Sequence, residues 1–106
     1  MIVFRLSLIL AVALLLTSGE LGAQSSGESV YKAKCASCHG LDGMAATLAG
    51  KALKVKPVMD SSVKSQPMSK MVESVASGEG KMQPFKGKLT EKEIHDSVAH
   101  FRSLMK

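Results

Sequence analysis

Apolar residues recur at the spacing of one helix face in a stretch that begins at Pro67 and ends at Gly78. They fall at i, i+3, i+4 and i+7, at Met68, Met71, Val72 and Val75. This period is that of a helix with a single apolar face. Proline suits the first helical turn and glycine the C-terminal stop, so the pattern predicts a helix between the two.

Capping boxes precede two further predicted helices, because a Ser or Thr is followed three residues later by Glu. Thr90 and Glu93 open the last helix. Its apolar positions lie within about 60° of one another on a helical projection, and they are Ile94, Val98, Phe101 and Met105. Ser25 and Glu28 open the first helix, which continues toward Cys35.

The segment between these helices, residues 40–64, has no sustained period and is broken by Gly40, Gly43, Gly50 and Pro57. We expect a mostly irregular segment with one helical turn near residues 49–54. Irregular segments of this length are uncommon in small domains unless they cover something. Because no stretch shows the alternation of a strand, the fold class is all-α, with three or more helices and long loops.

The N-terminus has the pattern of a secretory signal peptide. Arg5 precedes an apolar run over residues 6–16, and small residues follow up to Ala23. A membrane anchor is the alternative, but spanning hydrocarbon takes roughly 20 apolar residues. We therefore assign residues 1–23 to a signal peptide and residues 24–106 to a single exported domain.

The predicted domain is small and poor in large side chains, with no Trp, one Tyr and two Phe. Domains of this size commonly need a staple besides their own side chains. The formal net charge is +5. The lysines are scattered along the sequence, which favours a solvated basic surface over a nucleic-acid site.

Both cysteines of the chain lie in the sequence Cys35-Ala36-Ser37-Cys38-His39. A structural zinc site needs four ligands, and only two distant histidines remain to complete it. A disulfide oxidoreductase uses such a pair on a sheet-containing scaffold, for which no strand is predicted. A structural disulfide would close a very short loop and would leave His39 unexplained.

The fourth interpretation, covalent attachment of a c-type haem, explains every position of the motif. Each thiol adds to one porphyrin vinyl group, and the adjoining His39 reaches the iron from one side. A largely apolar macrocycle would also fill the small core. At about 25 cal/mol per Å² it would contribute on the order of 10 kcal/mol before entropy, so we expect the chain without haem to be poorly folded.

The opposite axial position needs a second ligand if the iron is to be six-coordinate. Six methionines follow the predicted cleavage site: Met44, Met59, Met68, Met71, Met82 and Met105. Met82 is the best candidate, since it lies in a glycine-bounded loop stiffened by Pro84. Met59, also in a loop, remains possible, and His95 or His100 would give bis-histidine ligation.

With these residues the chain resembles the class I monohaem c-type cytochromes, in their short bacterial periplasmic form, from about residue 27 to residue 105. The resemblance depends on four features: Gly27-x-x-x-Tyr31, Cys35-x-x-Cys38-His39-Gly40-x-Asp42-Gly43, Gly80-Lys81-Met82 before Pro84-Phe85, and the last amphipathic helix. It implies the cytochrome c fold around one haem c. It also implies His39 as proximal ligand, Met82 as distal ligand, and a helix crossing at Gly27 beside Tyr31 and Phe101.

The sequence departs from the family pattern at two places. Gln83 stands between Met82 and Pro84, whereas the family often has proline directly after the ligand methionine. Many members also have a proline about ten residues after the histidine, and its carbonyl accepts the histidine Nδ1–H. Here no proline occurs before Pro57, so the acceptor for His39 is unassigned.

The resemblance implies a soluble, monomeric periplasmic electron carrier and not an enzyme. We expect its partners to be redox proteins with an acidic docking surface, steered by lysines near the haem: Lys34, Lys51, Lys81, Lys86 and Lys88. One alternative is a haem subunit fixed in a periplasmic dehydrogenase complex. Another is a ligand sensor or weak peroxidase from which Met82 is easily displaced.

Overall fold

The computed structural model describes residues 23–106, and within this range the fold is helical with no strand. The predicted signal peptide lies outside this range except for Ala23. The helices are α1 Ala23–Lys34, α2 Ala36–His39, α3 Leu48–Ala52, α4 Ser61–Lys64, α5 Met68–Ser77 and α6 Glu91–Ser103. The predicted all-α fold is confirmed. None of the helices in residues 23–106 is long and apolar enough to cross a membrane.

Helices α1 and α6 pack against each other at Gly27. A Cβ atom added to this glycine would lie 2.5 Å from the carbonyl oxygen of Asp96 and 2.8 Å from its carbonyl carbon. Only a residue without a side chain lets the two backbones approach so closely. One turn further along α1, the buried Tyr31 stacks on Phe101 of α6 with ring centroids 6.1 Å apart. The predicted helix crossing at Gly27 is confirmed.

Helix α6 begins with the predicted capping box. The Thr90 hydroxyl accepts from the Glu93 backbone N–H at 3.1 Å, and the Glu93 carboxylate accepts from the Thr90 N–H at 2.9 Å. Its apolar stripe buries Ile94 and Val98. Met105 was expected on this stripe, but the helix ends at Ser103, so Met105 follows the last turn.

Helix α1 does not begin where the sequence predicts. It starts at Ala23, so Ser25 is inside the helix and the predicted capping box with Glu28 is wrong. The Glu28 carboxylate instead pairs with Lys32 one turn later, at 2.8 Å. A side chain that reaches forward to i+4 in this way stabilises the helix surface.

The segment between residues 40 and 64 is more regular than predicted, because it contains α3 and α4. Single side chains cap both helices: the Thr47 hydroxyl accepts from the Gly50 N–H, and the Asp60 carboxylate accepts from the Ser62 N–H, each at 2.9 Å. Both helices are only one turn long. Such helices depend on caps and packing, since an isolated turn does not repay the entropy of nucleation.

The protein core in residues 23–106 is small, as the composition predicts. Only Tyr31 and Val58 are completely buried among the larger side chains. Met71, Phe85, Ile94 and Val98 complete the set of large apolar side chains below a tenth exposure. Four of these side chains, Tyr31, Met71, Phe85 and Val98, line one cavity.

Candidate cofactor site

The two cysteines lie on the turn between α1 and α2 and open into the same cavity. Cys35 precedes the first residue of α2 and Cys38 lies within that helix. Both side chains are half-buried, and they are not joined as a disulfide. Burial raises the pKa of the Cys35 thiol to about 11. The thiol is therefore protonated at neutral pH and lines the cavity beside its partner.

The backbone of the turn that carries Cys35 and Cys38 is fixed by two hydrogen bonds and one close contact. The Tyr31 hydroxyl donates to the Gly40 carbonyl at 2.6 Å, which ties α1 to the end of α2. The Thr47 hydroxyl donates to the Ser37 carbonyl at 2.7 Å. A Cβ atom on Gly50 would clash with the carbonyl oxygens of Cys38 and Ala45, so α3 approaches α2 through a bare backbone.

His39 ends α2 and lines the same cavity. Its ring meets the edge of Phe101 with centroids 5.3 Å apart. Burial lowers the pKa of His39, which favours the neutral imidazole that a metal ligand must be. Its Nδ1 atom is buried and has no hydrogen-bond partner in residues 23–106. The acceptor that the sequence left unassigned is therefore not supplied by a described residue.

Met82 closes a tight turn at the end of α5. The Met82 N–H donates to the Glu79 carbonyl at 2.9 Å, and the Glu79 N–H donates to the Met82 carbonyl at 3.2 Å. Gly80, at the first central position, has φ 57°, which glycine adopts without strain. The following chain is held to α5 by the Phe85 N–H, which donates to the Val75 carbonyl at 3.0 Å. The Met82 side chain, half-buried, lines the cavity.

The cavity has a volume of about 780 Å³ and brings all four predicted site residues together: Cys35, Cys38, His39 and Met82. Helices α5 and α6 contribute an apolar wall to it: Met71, Val75, Val98 and Phe101. A flat apolar macrocycle fits this donor set. The two thiols would hold its vinyl groups, and an imidazole and a thioether on the same cavity would be available to its iron.

The other candidate axial ligands named from the sequence are less well placed than Met82. Of the six methionines, only Met71 shares the cavity with Met82, and its sulfur accepts from the Arg102 guanidinium at 3.6 Å. The Met59 sulfur accepts from the Lys106 backbone N–H. His95 lies beside Asp96 and His100 against Tyr31, and neither lines the cavity. Residues 23–106 contain no cluster of three His, Cys, Asp or Glu side chains suited to a metal ion.

Sequence reasoning missed one whole wall of the cavity. The chain that links α3 to α5 contributes a polar set of lining side chains: Lys54, Lys56, Ser62 and Gln66. Phe101 was expected to pack on Tyr31, but its contact with His39 was not expected. No periodicity marks the polar set, and the only hint was the unusual length of the segment between residues 40 and 64.

This fold and this site together define a c-type cytochrome domain. Residues 22–101 match the family model described as cytochrome c oxidase, cbb3-type, subunit III, and the chain belongs to this family. The solved structure of the KustC0563 c-type cytochrome is 29% identical, with a TM-score of 0.68, over 76% of this chain and 98% of that one. No curated protein matches the sequence. The chain is therefore a haem-binding electron-transfer protein.

Proposed function

We propose that this protein is a periplasmic carrier of single electrons, holding one haem c between His39 and Met82. The observation that carries the proposal is the single cavity onto which both thiols, the imidazole and the thioether open. A site with these donors on several separate surfaces could not hold one macrocycle. When bound, the haem supplies reversible one-electron chemistry between ferric and ferrous iron.

Cys35 and Cys38 anchor the haem covalently. Each sulfur bonds to one carbon of a vinyl group while the thiol hydrogen passes to the neighbouring carbon, so the addition needs no oxidant or reductant. The two side chains are three residues apart on one helical turn and face the same cavity. Their backbone is held by Tyr31 and Thr47, which fixes the orientation of the bound group.

His39 and Met82 would be the two protein ligands of the iron. Thioether ligation raises the reduction potential of haem iron. With both axial positions filled no substrate reaches the metal, which is why we propose a carrier and not an enzyme. The Met82 turn is held by its two backbone hydrogen bonds to Glu79, so the thioether is presented by a short, closed loop.

The basic surface favours partners with acidic docking faces. Lys34 and Lys81 are exposed and line the mouth of the cavity, and Lys51, Lys86 and Lys88 are exposed on neighbouring segments. Positive charge around an electron-transfer site steers an acidic partner toward it. We propose that the protein acts as a monomer after export, in line with the signal peptide predicted for residues 1–23.

Absorption spectra of native protein, oxidised and reduced, together with intact mass, test the proposal. We expect one covalently bound haem and, in the oxidised protein, a long-wavelength sulfur-to-iron charge-transfer band that Met82→Ala abolishes. Met71→Leu is the matched control, and it should keep the band. A mass of polypeptide alone would refute haem attachment, and a band that survives Met82→Ala would refute the assigned ligand.

The family description favours a second candidate, a fixed electron-transferring subunit of a membrane oxidase. In that case the basic surface is a permanent interface and not a transient docking face. Gel filtration of native extract separates the two functions. A carrier elutes at the size of one chain, whereas a subunit elutes with its complex.

A further inference from the structure

The haem brings two propionate carboxylates as well as its apolar rings, and these need a polar, cationic place in the cavity. The vinyl and propionate groups occupy opposite edges of the macrocycle. With Cys35 and Cys38 holding the vinyl edge, the propionates would lie at the edge of the macrocycle away from these two thiols. A buried carboxylate without a partner is costly, so this side must offer donors.

Four lysines line the cavity: Lys34, Lys54, Lys56 and Lys81. Lys34 adjoins Cys35 at the vinyl edge, and Lys81 adjoins Met82 on the distal face. The remaining two belong to the chain between α3 and α5, which forms the polar wall. The one acidic side chain on the cavity is Glu79, whose carboxylate accepts from the Ser74 hydroxyl at 2.8 Å. The negative charge of Glu79 would repel a propionate carboxylate from the part of the cavity that Glu79 lines.

Lys54 occupies a backbone conformation that normally calls for glycine. Its φ is 56°, and it directly follows Leu53, the C-cap residue of α3. The Val55 N–H donates to the Gly50 carbonyl at 2.9 Å and the Lys54 N–H to the Lys51 carbonyl at 3.2 Å. This is the Schellman pattern of helix termination, in which the left-handed residue is usually Gly. A lysine here is strained relative to glycine, and its side chain lines the cavity.

Lys56 is held in place by a hydrogen bond to Ser62. Its ammonium donates to the Ser62 hydroxyl at 3.2 Å. The Asp60 carboxylate accepts from both the hydroxyl and the backbone N–H of Ser62, which fixes Ser62 at the start of α4. Gln66, two residues before α5, adds an amide to the same wall. Because the Ser62 hydroxyl donates its one hydrogen to Asp60, the Lys56 ammonium and the Gln66 amide are the donors that remain for a carboxylate.

We propose that Lys54 and Lys56, with Gln66, bind the propionate carboxylates of the haem. This rests on the thioether attachment proposed above. The segment between α3 and α5 would then have a defined role, because it would cover the polar edge of the cofactor. It also places two positive charges beside the haem, and positive charge favours the reduced form of the iron.

Zero-length cross-linking of the holoprotein tests the assignment. A carbodiimide activates a propionate, and a lysine amine that touches it forms an amide while the reagent leaves as a urea. After trypsin, the haem-bearing peptide of residues 35–51 should be linked to the peptide of residues 55–64 through Lys56, or to residues 52–64 through Lys54. Linkage only to Lys34 or Lys81, or no linkage, overturns the proposal.

The reduction potential gives a second readout. Lys56→Gln should lower the potential, because a positive charge beside the propionates is lost. Lys64→Gln is the matched control, since Lys64 is exposed on α4 and its ammonium donates to the Lys106 carbonyl away from the cavity. Equal potentials in the two variants overturn the proposal. A haem absent from residues 35–51 would instead refute the attachment, so the two failures are distinguishable.

Discussion

Two regions of the molecule present the proposed axial ligands in different ways. The helical side, made of α1, α2 and α6, holds Cys35, Cys38 and His39 through close backbone approach and buried aromatic contacts. The methionine turn, residues 79–82, holds Met82 through two backbone hydrogen bonds and is mostly exposed. The anchored ligand therefore depends on packing, whereas the opposite ligand depends on loop geometry.

Removing the two anchoring cysteines tests whether the helical side folds without the haem. This change should have the largest effect on stability. In Cys35→Ser/Cys38→Ser the haem is not attached, and the small core loses burial on the order of 10 kcal/mol. We expect loss of most helical circular dichroism and a mass of polypeptide only. Ser37→Ala, between the two cysteines, is the control. Retention of the wild-type helical content would show that α1, α2 and α6 fold without the cofactor.

A side chain at the helix crossing should be the next most damaging change. In Gly27→Ala the new Cβ meets the Asp96 carbonyl oxygen at 2.5 Å, so the helices must separate. The gain of roughly 1 kcal/mol in helix propensity does not offset the overpacking, and we expect a net loss of about 2 kcal/mol. Denaturant unfolding of the holoprotein measures it. Unchanged stability would contradict the close approach.

The same substitution in the methionine turn sharpens the contrast. A Cβ on Gly80 meets no atom within 4 Å, but the φ of 57° is unfavourable for alanine. We expect Gly80→Ala to cost about 1 kcal/mol and to weaken the sulfur-to-iron band. Asn tolerates this conformation, so Gly80→Asn should do less. If Gly80→Ala destabilises more than Gly27→Ala, the distinction between the two regions is wrong.

Lowering the pH should slightly reduce the stability of the helical side. The Lys92 ammonium, through a hydrogen bond and its charge, lowers the pKa of Asp96 on α6. A lowered folded pKa stabilises the fold above the unfolded pKa of roughly 3.9, and that contribution is lost as pH falls through the folded value. Asp96→Asn should flatten the fall in stability from about pH 5 downward. Glu73→Gln is the control, and identical pH profiles for Asp96→Asn and wild type would disprove the effect.

The parts of the fold that local sequence determines were predictable. Helix α5 has an apolar face and ends at a glycine, and α6 has a complete capping box at Thr90 and Glu93. Helix α3 was predicted only as one helical turn near residues 49–54, and α4 was not predicted, because one turn is too short to show a period. Their caps, Thr47 and Asp60, have no partner residue that marks them in sequence. The start of α1 was misplaced because Ser25 and Glu28 fit a capping box without forming one.

The candidate site was predictable where its residues belong to a sequence motif. Cys35, Cys38 and His39 are contiguous, and Met82 follows a recognisable glycine turn. The polar wall of Lys54, Lys56, Ser62 and Gln66 depends on how α3 and α4 fold over the cavity. No local pattern in sequence encodes that placement. The sequence left the acceptor for the His39 Nδ1 atom unassigned, and the described residues do not supply one.

Gly50 limits how far this scaffold can be redesigned. Because a Cβ atom at this position would lie 2.3 Å from the Cys38 carbonyl oxygen, any larger residue there must displace the attachment turn or the α3 backbone. Libraries that vary the neighbouring surface to retarget electron flow should therefore leave this position untouched. The exposed Leu48 and Lys51 on either side of it are the places where new recognition can be built.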